Sequence, residues 1–209
     1  INARRRSPGR KLQSLEESSF DSWIKFSKRT PDTGNTTISF YSKGALVSLM
    51  LDLELRQRTD GNVTLDDAMR ALYQRHPLDG PGYTPEDVVQ TCATLTGKDF
   101  SGFFDANVAG VDDLEFEPLL GSVGVELYFK PDKAPWQLGT EGKSEDSDDT
   151  EPEPAYERID LGLSLTSRDG NVYVRSLREG GACFDSGIIA GDELRAIHGG
   201  ARSPAACPS

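Results

Sequence analysis

Residues 36 to 56 carry the most regular apolar pattern in the chain. Leu46, Leu49, Met50 and Leu53 recur at i, i+3, i+4 and i+7, one face of an α-helix, and Val47, Leu51 and Leu55 form a second stripe beside it. Two adjoining stripes predict a helix packed on more than one side. Thr37 or Ser39 offers an N-cap oxygen, which places Tyr41 in the first turn. A phenol there projects from the mouth of the helix and can face a cleft.

The flanking pattern is helical as well. Leu12, Leu15, Phe20, Trp23, Ile24 and Phe26, with acids early and Lys25, Lys28 and Arg29 late, predict a helix over residues 18 to 28 whose charges suit its dipole. Residues 31 to 35 then break the chain. After Asp60-Gly61-Asn62, Thr64 caps a helix with Leu65, Ala68, Met69 and Leu72 on one face. Thr84-Pro85-Glu86-Asp87 starts another, which Val88, Val89, Cys92 and Leu95 carry to Gly97. A short amphipathic piece follows over residues 99 to 108. Residues 11 to 120 therefore read as a helical bundle.

After Leu120 the period changes from helix to strand. Residues 123 to 129 alternate with period two, and so do residues 159 to 165 and 171 to 177, which Arg168-Asp169-Gly170 joins as a hairpin. Between them, residues 131 to 157 are acidic and proline-containing, a composition that cannot bury enough surface to order itself and predicts an extended linker. The expected organisation is a helical unit over residues 1 to 130, the acidic linker, and a small β-rich unit over residues 158 to 209.

Composition narrows the function. In 209 residues the net charge is -11, which opposes nonspecific nucleic-acid binding, and the basic cluster of Arg4, Arg5, Arg6, Arg10 and Lys11 reads as a solvated entry segment. No run approaches the roughly 18 apolar residues of a membrane span. Cys92, Cys183 and Cys207 form no CxxC and no disulfide framework, which leaves both the cytoplasm and a bacterial periplasm open as compartments. The first residue is not Met and the tail after Arg202 completes no element, so the expectation is a fragment of a longer protein.

Metal motifs are missing from the sequence. His76 and His198 have no ligand-spaced neighbours and read as exposed loop residues, and no HExxH occurs. Residues 59 to 67 share spacing with part of a calcium loop, but its first and third positions would be Arg56 and Arg58, and cations exclude calcium. The acidic run from Asp146 puts Glu157 at the twelfth position, yet Glu151 replaces the turn glycine and Pro152 follows it.

Tyr41-Ser42-Lys43-Gly44, opening the central helix, resembles the Tyr-x-Lys-Gly element of gluzincin aminopeptidases. The surroundings extend that resemblance: residues 8 to 25, Asn35 through Leu46, Leu51-Asp52-Leu53 and Thr64-Leu65-Asp66-Asp67-Ala68-Met69-Arg70-Ala71-Leu72 are similar to the glycyl-aminopeptidase family of metallopeptidases. The resemblance covers roughly residues 5 to 130. It implies the helical C-terminal half of a thermolysin-like catalytic domain, in which Tyr41 hydrogen-bonds the oxyanion of a tetrahedral intermediate. It further implies peptide substrates with small N-terminal residues such as Gly or Ala. Zinc would belong to the parent, its motif upstream of Ile1, with none bound by this chain. Where the family usually has two tyrosines this chain has Phe40-Tyr41, so only Tyr41 carries the role.

The second unit resembles a bacterial-type PDZ domain, through Asp160-Leu161-Gly162-Leu163, residues 172 to 177 and residues 181 to 197. That likeness implies that Leu161, Gly162 and Leu163 line a site for peptide C-termini, the loop presenting backbone N–H groups and a strand edge accepting the peptide. Ser186-Gly187-Ile188 departs from the usual alanine-glycine-leucine, and the groove-forming second helix and closing strand are missing, so the PDZ-like unit is incomplete. A non-catalytic peptide-binding scaffold is the alternative reading.

Overall fold

Three reciprocal caps set helix starts in the computed structural model, which describes residues 7–128, 161–197 and 200–201. After a 3-10 turn, Pro8–Lys11, the Ser14 hydroxyl accepts from the Glu17 N–H while the Glu17 carboxylate accepts from Ser14, opening α1 (Leu15–Phe20). Asp21 interrupts the chain before α2 (Ser22–Lys25), and a single turn, α3 (Thr33–Thr36), precedes the central helix α4 (Phe40–Arg58). Ser39, not Thr37, is its cap, accepting from the Ser42 N–H at 3.3 Å. Thr64 and Thr84 cap α5 (Leu65–Arg75) and α6 (Pro85–Thr96), and Gly97 closes α6 in the left-handed region at φ 69°. The helical unit finishes with α7 (Ser101–Phe104), a π-helical turn (Asp105–Ala109) and α8 (Glu117–Ser122).

Helix α4 is the axis of this unit and packs against α1, α5, α6 and α8. Val47, Met50, Leu51, Leu53 and Leu55 meet Ala68, Cys92, Phe100, Phe103, Phe116 and Leu119 in one core. Burying these side chains supplies the main stabilisation, since each removes apolar surface from water at about 25 cal/mol per Å². The stripe facing the core is rotated from the one expected. Leu49 is 46% exposed, and the buried polar residue Lys43 takes the inner face of the first turn. Met69 on α5 is likewise outward, while Ala68 and Leu72 are buried.

Other expectations change at element ends. The helix expected over residues 18 to 28 is two short ones that begin earlier, because the Ser14 and Glu17 cap starts the turn at Leu15 and Asp21 ends it. The break at residues 31 to 35 contains the turn α3. Residues 123 to 128 form no strand. The Val123, Gly124 and Val125 N–H groups instead return to the carbonyls of Leu120 and Gly121, with Gly124 at φ 75°, closing the end of α8.

The chain divides into two compact units, Ile1–Tyr128 and Phe129–Ser209. In the second, β1 (Leu163–Arg168) and β2 (Asn171–Leu177) pair antiparallel. The connecting Asp169 and Gly170 have φ of 51° and 77°, as a two-residue turn of the primed type requires. Val172 and Val174 are buried, one strand face serving as the core side. The helical turn α9 (Ala182–Asp185) follows, then the short pair β3 (Ala196–Ile197) and β4 (Gly200–Ala201). Arg4, Arg5, Arg6, the linker of residues 131 to 157, the start of the strand at Ile159, His198 and Cys207 lie outside the described residues.

Candidate functional site

Tyr41 sits in the first turn of α4 with 66% of its surface exposed. Its ring lies 4.3 Å from Phe40 and 6.0 Å from Phe26, and Phe26 and Phe40 are 5.8 Å apart. The three rings brace one another at tilted and edge-on angles that suit their quadrupoles. The phenol is therefore presented outward on a short, stiff support. Phe20, Trp23 and Ile24 are 85%, 95% and 67% exposed, so these apolar residues of α1 and α2 make a surface, while Leu15 of α1 packs against the core.

What fixes this turn in space is polar and buried. The Ile38 N–H donates to Gln13 Oε1 at 3.1 Å, and Ser18 Oγ donates to the Ile38 carbonyl at 2.9 Å. Ser7 Oγ donates to the Gly34 carbonyl at 2.7 Å, and Asn35 Nδ2 donates to Asp32 Oδ1 at 2.8 Å. Gln13, Ser14, Ser18 and Asn35 are all buried. Gly9 approaches so closely that a Cβ there would lie 2.4 Å from the Thr37 carbonyl oxygen. Residues 7 to 18 thus grip the segment that leads into α4. Sequence reasoning missed this cradle, because isolated buried polar residues leave no periodic signature. The Ser14-Leu15-Glu16-Glu17 spacing was the one readable signal.

Within the first turn itself, Lys43 is fully buried and its Nζ donates to the Gly110 carbonyl at 3.0 Å. Arg10 and Lys11, expected to be solvated, both pair with Asp113, at 2.8 Å and 2.9 Å. The Lys11 hydrogen bond, with the Arg10 guanidinium beside it, holds the Asp113 carboxyl below its ordinary value. His76 is not the exposed loop residue expected. It caps α5, with 14% of its side chain exposed. Its Nδ1 lies 2.7 Å from the Gly82 carbonyl, while Nε2, 3.8 Å from Asp87, has no hydrogen-bond partner among the described residues. Burial pushes the Cys92 thiol up, making it a packing residue.

No group of three or more His, Cys, Asp or Glu side chains that could hold a metal ion occurs among the described residues, so these residues do not fit a zinc site. No described helix is long and apolar enough to cross a membrane. In the second unit, Leu161 is 48% exposed, whereas Gly162 is buried at φ 72° and a Cβ on it would lie 2.9 Å from Gly181 Cα. The Gly162 carbonyl accepts from the Arg178 N–H at 2.6 Å and the Leu161 carbonyl from the Cys183 N–H at 3.2 Å. Leu163 then opens β1.

A helical bundle followed by a small β unit has a structural match among aminopeptidases. The crystal structure of an aminopeptidase N family protein from Idiomarina loihiensis matches 97% of this chain with a TM-score of 0.77 and 25% sequence identity. The chain covers 33% of that protein, about a third of its length. A family model described as M61 glycyl aminopeptidase matches residues 1–47, the span that holds the cradle, Tyr41 and Lys43. No curated protein matches the chain.

Proposed function

We propose that this chain is the helical C-terminal part of the catalytic domain of a zinc-dependent gluzincin aminopeptidase, followed by a PDZ-like unit. Its substrates are peptides with a small N-terminal residue, Gly or Ala. The observation that carries the reading is Tyr41, an exposed phenol at the first turn of α4 with the Phe26 and Phe40 rings against it. Its O–H is the donor to the oxyanion that develops when the scissile carbonyl is attacked. A fixed donor strengthens as that charge grows, so it stabilises the transition state more than the substrate. A zinc ion in the parent would supply activation of the attacking water, and residues other than those described would hold it.

Replacing Tyr41 by Phe in the parent removes the donor and keeps the ring. The expected outcome is a fall in kcat of roughly a hundredfold or more, with zinc content and melting temperature unchanged. An active parent indifferent to Tyr41→Phe would make the residue part of the aromatic brace only.

The PDZ-like reading of the second unit draws support from Leu161, Gly162 and Leu163. The positive φ of Gly162 and its close approach to Gly181 shape a tight loop directly before β1. Such a loop suits a peptide carboxylate, with the peptide added along a strand edge. Titrating C-terminal peptides against the chain tests it, and saturable binding that is lost when the terminal carboxylate is amidated is the expected outcome.

A further inference from the structure

We propose that Lys43 is a positioning residue: its buried ammonium ties the first turn of α4 to the Gly110 carbonyl after the π-helical turn, and so sets the direction in which Tyr41 points. Lys43 is fully buried, and its Nζ donates to the Gly110 oxygen at 3.0 Å across 67 residues of sequence. The placement is unfavourable by two general rules. A buried ammonium loses its hydration, and a cation in the first turn opposes the positive end of the helix dipole. A position that runs against both calls for a compensating role.

Geometry supplies that role. Residues two apart on an α-helix point about 200° away from each other, so a side chain locked inward at Lys43 turns Tyr41 outward. The other half of the strut is equally constrained. Gly110 approaches the π-helical turn so closely that a Cβ on it would lie 2.7 Å from the Ala106 carbonyl oxygen and 2.9 Å from that of Asp105. The turn itself, Asp105–Ala109, packs against α1, whose Ser18 grips Ile38 just before α4. The cradle thus holds the segment entering the helix, and Lys43 holds its first turn.

The test begins with the 209-residue chain and three variants, Lys43→Met, Lys43→Gln and Gly110→Ala. Lys43→Met keeps length and volume without a donor. It is expected to raise first-turn amide exchange at least tenfold and to weaken the proton contacts between the Tyr41 and Phe26 rings. Lys43→Gln, which restores an N–H donor, is expected to recover most of both. Gly110→Ala, which displaces the acceptor, should reproduce the Met phenotype, a correspondence that general destabilisation would not produce. If Lys43→Met does not fold, the Gln and Gly110 variants decide alone. First-turn exchange within twofold of wild type and unchanged ring contacts in every folded variant overturn the proposal.

A second arm rests on the oxyanion role of Tyr41. In the parent enzyme, Lys43→Met is expected to lower kcat about tenfold with KM unchanged, and to lower it no further when Tyr41 is already Phe. An additive loss in the double variant overturns action through Tyr41. A parent indifferent to Tyr41→Phe, with the ring and exchange signature present, removes the catalytic reading and retains the strut.

Discussion

Gln13 shows how much a single polar residue can decide. Its carboxamide oxygen, buried with the rest of the side chain, accepts the Ile38 N–H one residue before the α4 cap. Gln13→Ala leaves that donor without its acceptor, for an expected loss of about 1–3 kcal/mol in stability. The measurement is a denaturant midpoint that falls with the slope unchanged. A midpoint equal to wild type would mean that solvent replaces the carboxamide there. Nothing in the hydrophobic pattern marks Gln13, Asn35 or Lys43 as interior, since residues of these types are usually exposed. Tyr41 was legible for the opposite reason: its position follows from the helix start, and Ser39 fixes that start locally.

At the scale of elements, caps and turns follow closely from sequence, whereas the facing of a helix does not. Thr64, Thr84 and the Asp169-Gly170 turn act locally, each satisfying backbone within a few residues. The orientation of α4 instead depends on what surrounds it, and Leu49 turned outward although its spacing matches the core stripe. The Pro8–Lys11 turn approaches the segment entering α4 closely at Gly9. Gly9→Ala places a methyl 2.4 Å from the Thr37 oxygen and 2.6 Å from its nitrogen, both backbone atoms that cannot swing aside. The expected result is a loss of about 1–3 kcal/mol, as for overpacking. Calorimetric melting of the variant checks it, and an unshifted melting temperature would show that the turn can lift away freely.

For the whole molecule, acid is the informative variable. Burial pushes the Asp52 carboxyl up, but the Arg56 side chain and the Leu65 N–H outweigh it and hold it below its ordinary value. Thr64 does the same for Asp67, Thr84 for Asp87, and Ser101 for Asp99, each through its hydroxyl and backbone N–H, while Lys11 leads at Asp113. A carboxyl depressed on folding binds fewer protons in the native state. Its contribution is present above the unfolded value near 4 and is lost as pH falls through the lower native value. The melting temperature should therefore fall steeply between about pH 4 and pH 2. A melting temperature flat across that range would mean that these cap and ion-pair carboxylates contribute nothing to folding.

The sequence by itself determined the helical bundle, the hairpin after it, the starts of α5 and α6, and the place of Tyr41 at a helix mouth. Each of these rests on period or on caps acting within a turn. Only the tertiary structure decided which face of α4 is buried, that Phe20, Trp23 and Ile24 lie on a surface, that residues 123 to 128 close a helix instead of forming a strand, and that Lys43 and Gln13 are interior. Those outcomes depend on partners far apart in the chain, such as Gly110 for Lys43 and Ile38 for Gln13. A buried polar group is tolerated only where such a partner is delivered, and a one-dimensional pattern does not record the delivery.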